Sequence, residues 1–178
     1  FSLVILLGSL LLSLPFVQSP TSHAGYFDHL FTAVSMVCVT GLFTLPVAST
    51  YNVWGQLICM FLIQIGGLGL MTFIGIFYIQ GKQKLSLRGR ETILESFSFE
   101  ETQSLRDFLR SIFVTTFLVE GFGAFLLSFR FVPEFGWGRG IFTSIFVAIS
   151  AFCNAGFDNF GSTSLVAFQT DPLINLVI

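Results

Sequence analysis

Between Trp54 and Gln80 the chain runs for 27 residues without an Asp, Glu, Lys or Arg. At about 1.5 Å of rise per residue, a helix of that length reaches about 40 Å and crosses a hydrocarbon core of about 30 Å with room for tilt. The rest of the chain agrees with lipid as its solvent. Only 10% of the 178 residues are charged, against about 25% in an ordinary soluble domain. That composition excludes a soluble globular domain and a disordered chain. With a net charge of −2 and no basic face, it also excludes a nucleic-acid binder. Cys38, Cys59 and Cys153 all lie in apolar runs. Their odd count and their spacing suit neither a disulfide framework nor a metal site.

A second span is expected over about Ser111 to Phe129, interrupted by Glu120. The chain opens at Phe1 and stops at Ile178 inside apolar runs, so it reads as a piece of a longer protein. Phe1 to Leu14 then reads as a truncated crossing helix rather than a signal peptide, because no basic leader precedes it. A last span begins after Pro172. The segment Lys82 to Arg110 holds six of the eight Lys and Arg, whereas Gln18 to Val53 holds none. The positive-inside rule places the first in the cytoplasm and the second outside. The polar stretch Arg90 to Arg110 reads as helical, either a solvated connector or a docking surface for a cytosolic partner.

Two further apolar runs, Phe27 to Thr40 and Phe142 to Ala155, are too short to cross. Each ends in small or polar residues and a glycine, Cys38-Val39-Thr40-Gly41 and Cys153-Asn154-Ala155-Gly156. Irregular backbone at membrane depth is tolerated only when it is buried in protein or lines a water-filled cavity. Half-helices that stop in this way are pore-type candidates.

The chain also repeats itself. Shifted by 115 positions without a gap, Leu11 to Gly41 matches Leu126 to Gly156 at 12 of 31 positions. The matched residues include Gly25 with Gly140, Ala33 with Ala148, Ser35 with Ser150, Cys38 with Cys153 and Gly41 with Gly156. Shared composition would not hold one register across a helix, a loop and a half-helix. The expected unit is a span, an external half-helix, an extended strand and a second span, both copies in the same orientation. The boundaries are 1–80 for the first unit, 81–110 for a cytoplasmic connector and 111–178 for a second unit truncated in its last helix. Two such units cannot enclose an axial hole but four can, so an all-α membrane protein with two of an expected four repeats is the fold class.

These residues resemble a known family. Phe31-Thr32-Ala33-Val34-Ser35 through Cys38-Val39-Thr40-Gly41-Leu42 is similar to the first pore loop of the Trk/Ktr/HKT potassium-transporter superfamily. Ile63-Gln64-Ile65-Gly66-Gly67-Leu68-Gly69-Leu70-Met71-Thr72-Phe73 is similar to the helix that follows. Val132-Pro133 through Gly136-Trp137, with Ala148 to Phe157, resembles the second pore loop, and Asp171-Pro172 with Asn175 to Ile178 the start of the next helix. The likeness covers essentially the whole chain and is nearest to the membrane subunit of bacterial Ktr systems. It implies a potassium-channel-like fold of helix–pore loop–helix repeats and potassium uptake across the plasma (inner) membrane, often sodium-dependent. It also implies a homodimer in membrane lipid, seated on a cytosolic nucleotide-binding regulatory ring reached through segments such as 82–110. On this reading the chain binds no cofactor. Potassium is the transported ion and sodium a candidate activator.

The ion chemistry follows from dehydration. A potassium ion entering a narrow site must exchange its water shell for other oxygens, and backbone carbonyls supply them without fixed charge. The expected filter is the backbone of Cys38, Val39, Thr40, Gly41, Cys153, Asn154, Ala155 and Gly156. The half-helices would aim their negative C-terminal ends at the ion path. The plainer reading, in which Gly41 and Gly156 merely end helices, is outweighed by their matched place in a repeat. Gly66, Gly67 and Gly69 suggest close helix packing before a hinge. Glu120 is expected to face protein or water, with a hydrogen bond to the pore-loop backbone as its simplest role and a place in the ion path as the alternative. Asp28, Asp158 and Asp171 lie at the external side, as loop ends or as attractors of cations. His23 and His29 lack companion ligands, and no metal is assigned to them. No enzyme is expected, because Glu120 stands alone and no His or Asp lies in a complete span. A carrier for another cation or small solute, built on re-entrant half-helices, is the stronger alternative, and a purely structural membrane scaffold the weaker.

Overall fold

The structure is a computed structural model that describes residues 1–83 and 97–178. Helix α1 spans Ser2–Leu12, and a 3-10 turn follows at Pro15–Val17. Helix α2 is Tyr26–Val37, α3 a single turn at Val47–Thr50, and α4 a 31-residue helix, Val53–Gln83. Helix α5 covers Phe97–Phe135 and α6 Trp137–Phe152. A second 3-10 turn at Ser164–Phe168 leads to α7, Pro172–Val177. Among the described residues every regular element is helical and no strand forms, only one isolated antiparallel bridge between Gln18 and Tyr51.

Within α5, Asp107–Phe135 is long and apolar enough to cross a membrane, with a mean hydropathy of 1.9 over its most apolar window. It therefore extends beyond both ends of the expected Ser111–Phe129. At its end Pro133 falls in the last turn, and the chain reverses at Gly136, whose φ is +80°. Most of the outer face of α5 is open, including Phe117, Leu118, Phe122 and Phe125. Of the charged connector, residues 84–96 lie outside the described residues, whereas 97–110, the latter part of its expected helix, form the start of α5 and run on without a break into the apolar stretch.

The two copies of the repeat differ at their entrances and agree at their exits. In the first, Pro15 and Pro20 interrupt the helical path after α1. The chain then wanders to Gly25, where the Gly25 N–H donates to the Asp28 carboxylate (2.9 Å) and starts α2. In the second, α5 turns directly into α6 at Gly136. Yet α2 and α6 reach their C-caps at Cys38 and Cys153, which is the 115-residue register.

In lipid, association between helices draws little on the hydrophobic effect and depends on close van der Waals contact. Glycines provide it here. A Cβ on Gly66 would fall 2.5 Å from the Val37 carbonyl oxygen, and one on Gly140 2.6 Å from the Val132 Cα. One buried cluster joins α1, α2 and α4 through Leu12, Met36 and Ile63, and also takes in Phe146, Ala155 and Phe157 from the second unit. A second cluster joins α5, α6 and α7. There Phe131, Phe135, Phe160 and Phe168 stack at angles, with centroids 5.2 to 6.3 Å apart.

Candidate functional site

Each half-helix ends in the same set of hydrogen bonds. The Cys38 N–H donates to the Val34 carbonyl (2.8 Å), Val39 N–H to Met36 (3.3 Å) and Thr40 N–H to Ser35 (2.9 Å). At the register of 115, Cys153 donates to Ile149 (3.0 Å), Asn154 to Ala151 (2.9 Å) and Ala155 to Ser150 (2.7 Å). The last two bonds of each set form a Schellman motif, which requires a left-handed residue directly after the C-cap. Val39 and Asn154 occupy that position with φ of 56° and 55°. Asparagine tolerates it, whereas a β-branched valine there is strained.

This corrects one expectation. The sequence reading placed an extended strand between half-helix and glycine. The chain instead leaves each helix through a tight left-handed turn, because that turn satisfies carbonyls of the final helical turn that a strand would leave bare. Gly41 and Gly156 follow with φ of 73° and 69°.

The two loops meet. A Cβ on Gly41 would lie 2.9 Å from the Ala155 carbonyl oxygen, and one on Gly156 would lie 3.4 Å from the Gly41 Cα. Helix α4 passes both loop roots. Gly66 abuts the Val37 carbonyl, and a Cβ on Gly67 would fall 2.5 Å from the Cys153 Sγ. All eight expected filter residues therefore belong to two adjoining turns. Cys38, Thr40, Asn154 and Gly156 are exposed, Val39, Gly41 and Cys153 half-buried, and Ala155 buried. Among the described residues, none of the carbonyls of 38–41 or 153–156 accepts a hydrogen bond, while six of the eight amide N–H groups donate one. The loops thus hold amides inward and leave carbonyl oxygens available.

Other expected positions resolve differently. The Glu120 carboxylate accepts from Gln64 Nε2 (2.9 Å) rather than from loop backbone, so it braces α5 against α4. Glu120 is 6% exposed, and the Gln64 Oε1 is buried without a partner. The three aspartates expected at the external side serve structure. Asp28 caps α2, and the Gly25 N–H, with a smaller contribution from the Thr44 hydroxyl, holds its carboxyl below the usual range. Asp158 accepts from the Phe160 N–H (2.9 Å) and the Ser164 hydroxyl. Asp171 caps α7 through the Leu173 and Ile174 N–H groups and pairs with Arg130 at 2.6 Å. Burial pushes its carboxyl up, but those bonds outweigh it and the net shift is downward.

The sequence reading missed a buried polar group. His29, to which the sequence assigns no metal, is 1% exposed. Its Nδ1 lies 2.9 Å from the Tyr51 hydroxyl and its Nε2 3.1 Å from Gln18 Nε2. The amide donates, so Nε2 accepts and Nδ1 carries the proton toward Tyr51. This ties the root of α2 to the Gln18–Tyr51 bridge. No spacing rule could find it, because the partners lie 11 and 22 residues away on irregular segments. Among the described residues no group of His, Cys, Asp or Glu could hold a metal ion.

The family model of TrkH, described as a cation transport protein, matches residues 4–178. The chain belongs to the TrkH family. That family is a transporter family, in keeping with the earlier resemblance. Among curated relatives, the potassium/sodium uptake protein NtpJ of Enterococcus hirae is 43% identical over 178 residues, all of this chain and 39% of its own length. The Ktr system potassium uptake protein B of Bacillus subtilis is 41% identical over 100% of this chain and 39% of its own. The protein of that name from Vibrio alginolyticus is 37% identical over 98% and 38%. This TrkH-family chain thus spans about two fifths of the length of these relatives.

Proposed function

We propose that the chain supplies two pore-loop units of a bacterial potassium uptake protein in the plasma membrane. The observation that carries this reading is the pair of adjoining turns at Gly41 and Gly156, whose carbonyls have no hydrogen-bond partner among the described residues. Oxygens without fixed charge suit a monovalent cation that must leave the site as readily as it enters. The C-terminal ends of α2 and α6 lead into the same turns and add negative potential there. The names of the relatives, potassium/sodium uptake protein and potassium uptake protein B, point the same way.

On this reading, units 1–80 and 111–178 stand side by side around an ion path completed by further units of the full-length protein. Potassium is cargo, sodium an activator, and the chain itself holds no cofactor. The full-length protein forms a homodimer and meets a cytosolic nucleotide-binding ring through its cytoplasmic segments. The test is flux of radioactive rubidium into liposomes holding the purified full-length protein. Uptake that potassium competes away supports the reading. Absence of potassium-competed uptake favours the carrier for another solute.

A further inference from the structure

Ser35 and Ser150 are buried, 2% and 3% exposed, on the last turns of α2 and α6. Each makes two bonds to its loop, one on either side of the glycine. The Ser35 carbonyl accepts from the Thr40 N–H (2.9 Å) and its Oγ accepts from the Leu42 N–H (2.9 Å). The Ser150 carbonyl accepts from the Ala155 N–H (2.7 Å) and its Oγ from the Phe157 N–H (2.9 Å). Gly41 and Gly156 are therefore each spanned by a bracket whose ends are anchored to one residue. The carbonyl bonds belong to the ordinary end of a helix. The hydroxyl bonds do not, since they reach seven residues forward, past the left-handed turn, to chain that no longer has helical partners.

We infer that Ser35 and Ser150 are positioning residues that set the direction of the Gly41 and Gly156 carbonyls. This rests on the filter assignment made above. A glycine at positive φ has wide conformational freedom, so its own backbone cannot fix where its carbonyl points. Pinning the amides before and after it removes that freedom. The first loop carries an added tie, because the Thr40 Oγ1 lies 2.8 Å from the Ser35 Oγ. The second loop has Ala155 there and no such hydroxyl. The Phe157 bond is also fully buried, whereas the Leu42 bond is only partly so. Loss of the Ser35 hydroxyl thus removes two bonds, to the Leu42 amide and to the Thr40 hydroxyl, whereas loss of the Ser150 hydroxyl removes one, to a more deeply buried amide.

The test uses the full-length protein in liposomes and reads the ratio of rubidium to sodium uptake together with the KM for rubidium. The variants are Ser35→Ala, Ser150→Ala, Ser35→Thr, Ser150→Thr, Ser144→Ala and Gly41→Ser. Ser144 is a control: it is equally buried on α6, but its hydroxyl donates to the Gly140 carbonyl (2.8 Å) inside the helix. Loss of the hydroxyl bond to the loop amide predicts a ratio shift of about fivefold in each Ser→Ala variant. The Thr variants keep a hydroxyl and return the ratio toward the original. Ser144→Ala lowers uptake of both ions together or not at all. Should Ser150→Ala fail to accumulate, Ser35→Ala decides, since water can reach the amide it frees. Unchanged ratios and KM in the Ser→Ala variants, or an equal shift in Ser144→Ala, overturn the inference. If Gly41→Ser also leaves the ratio unchanged, it is the filter assignment itself that falls.

Discussion

Gly66 of α4 packs directly on the carbonyl of Val37, the last residue of α2, so closely that a Cβ would sit 2.5 Å from that oxygen. One residue further along, Gly67 lies against the Cys153 side chain at the end of α6. A single helix therefore buttresses the roots of both candidate filter loops.

Substitutions along α4 and α5 should follow that geometry. Gly66→Ala meets backbone, which cannot yield, and should destabilise the protein by about 1–3 kcal/mol. Gly67→Ala meets the Cys153 side chain and should cost less. Gly121→Ala has nothing within 4 Å and should be neutral or slightly stabilising. Thermal unfolding in detergent, with the three midpoints ranked, checks the order.

Glu120 and Gln64 predict a double-mutant pattern. Glu120→Gln keeps an acceptor for the Gln64 amide and should be mild. Glu120→Leu leaves that amide unpaired in the interior, at about 1–3 kcal/mol. Removing both polar groups in Gln64→Leu/Glu120→Leu should restore part of the loss, because no orphaned donor remains. Midpoints that simply add would show that the 2.9 Å bond contributes no coupling.

Val39 predicts a gain. Its φ of 56° is the conformation that Asn154 adopts in the second loop. Val39→Asn should relieve steric strain of about 1 kcal/mol and raise the unfolding midpoint. A lower midpoint would mean that the valine side chain contributes packing that outweighs its backbone cost.

Much of this could be read in advance, for a physical reason. The long apolar helix α5 was legible because lipid tolerates little charge over a crossing stretch, and its Asp107–Phe135 part is long and apolar enough to cross a membrane. The half-helix ends showed because the same residues recur at 115, and Cys38 and Cys153 do end α2 and α6. What stayed hidden depended on distant partners or on local turn chemistry. Glu120 found Gln64, 56 residues away, instead of the loop. Asp171 found Arg130 instead of solvent. The turn at Val39 was hidden because a β-branched residue argues for a strand, and the Schellman bonds overrode that preference.

The central claim is that the backbones around Gly41 and Gly156 coordinate the transported ion. A Cβ at Gly41 would lie 2.9 Å from the Ala155 carbonyl oxygen. The most direct measurement is the relative uptake of rubidium and sodium by the full-length protein and its Gly41→Ser variant, in the same liposomes. A clear loss of rubidium-over-sodium preference is the predicted result, and the same ratio in both proteins would contradict the account.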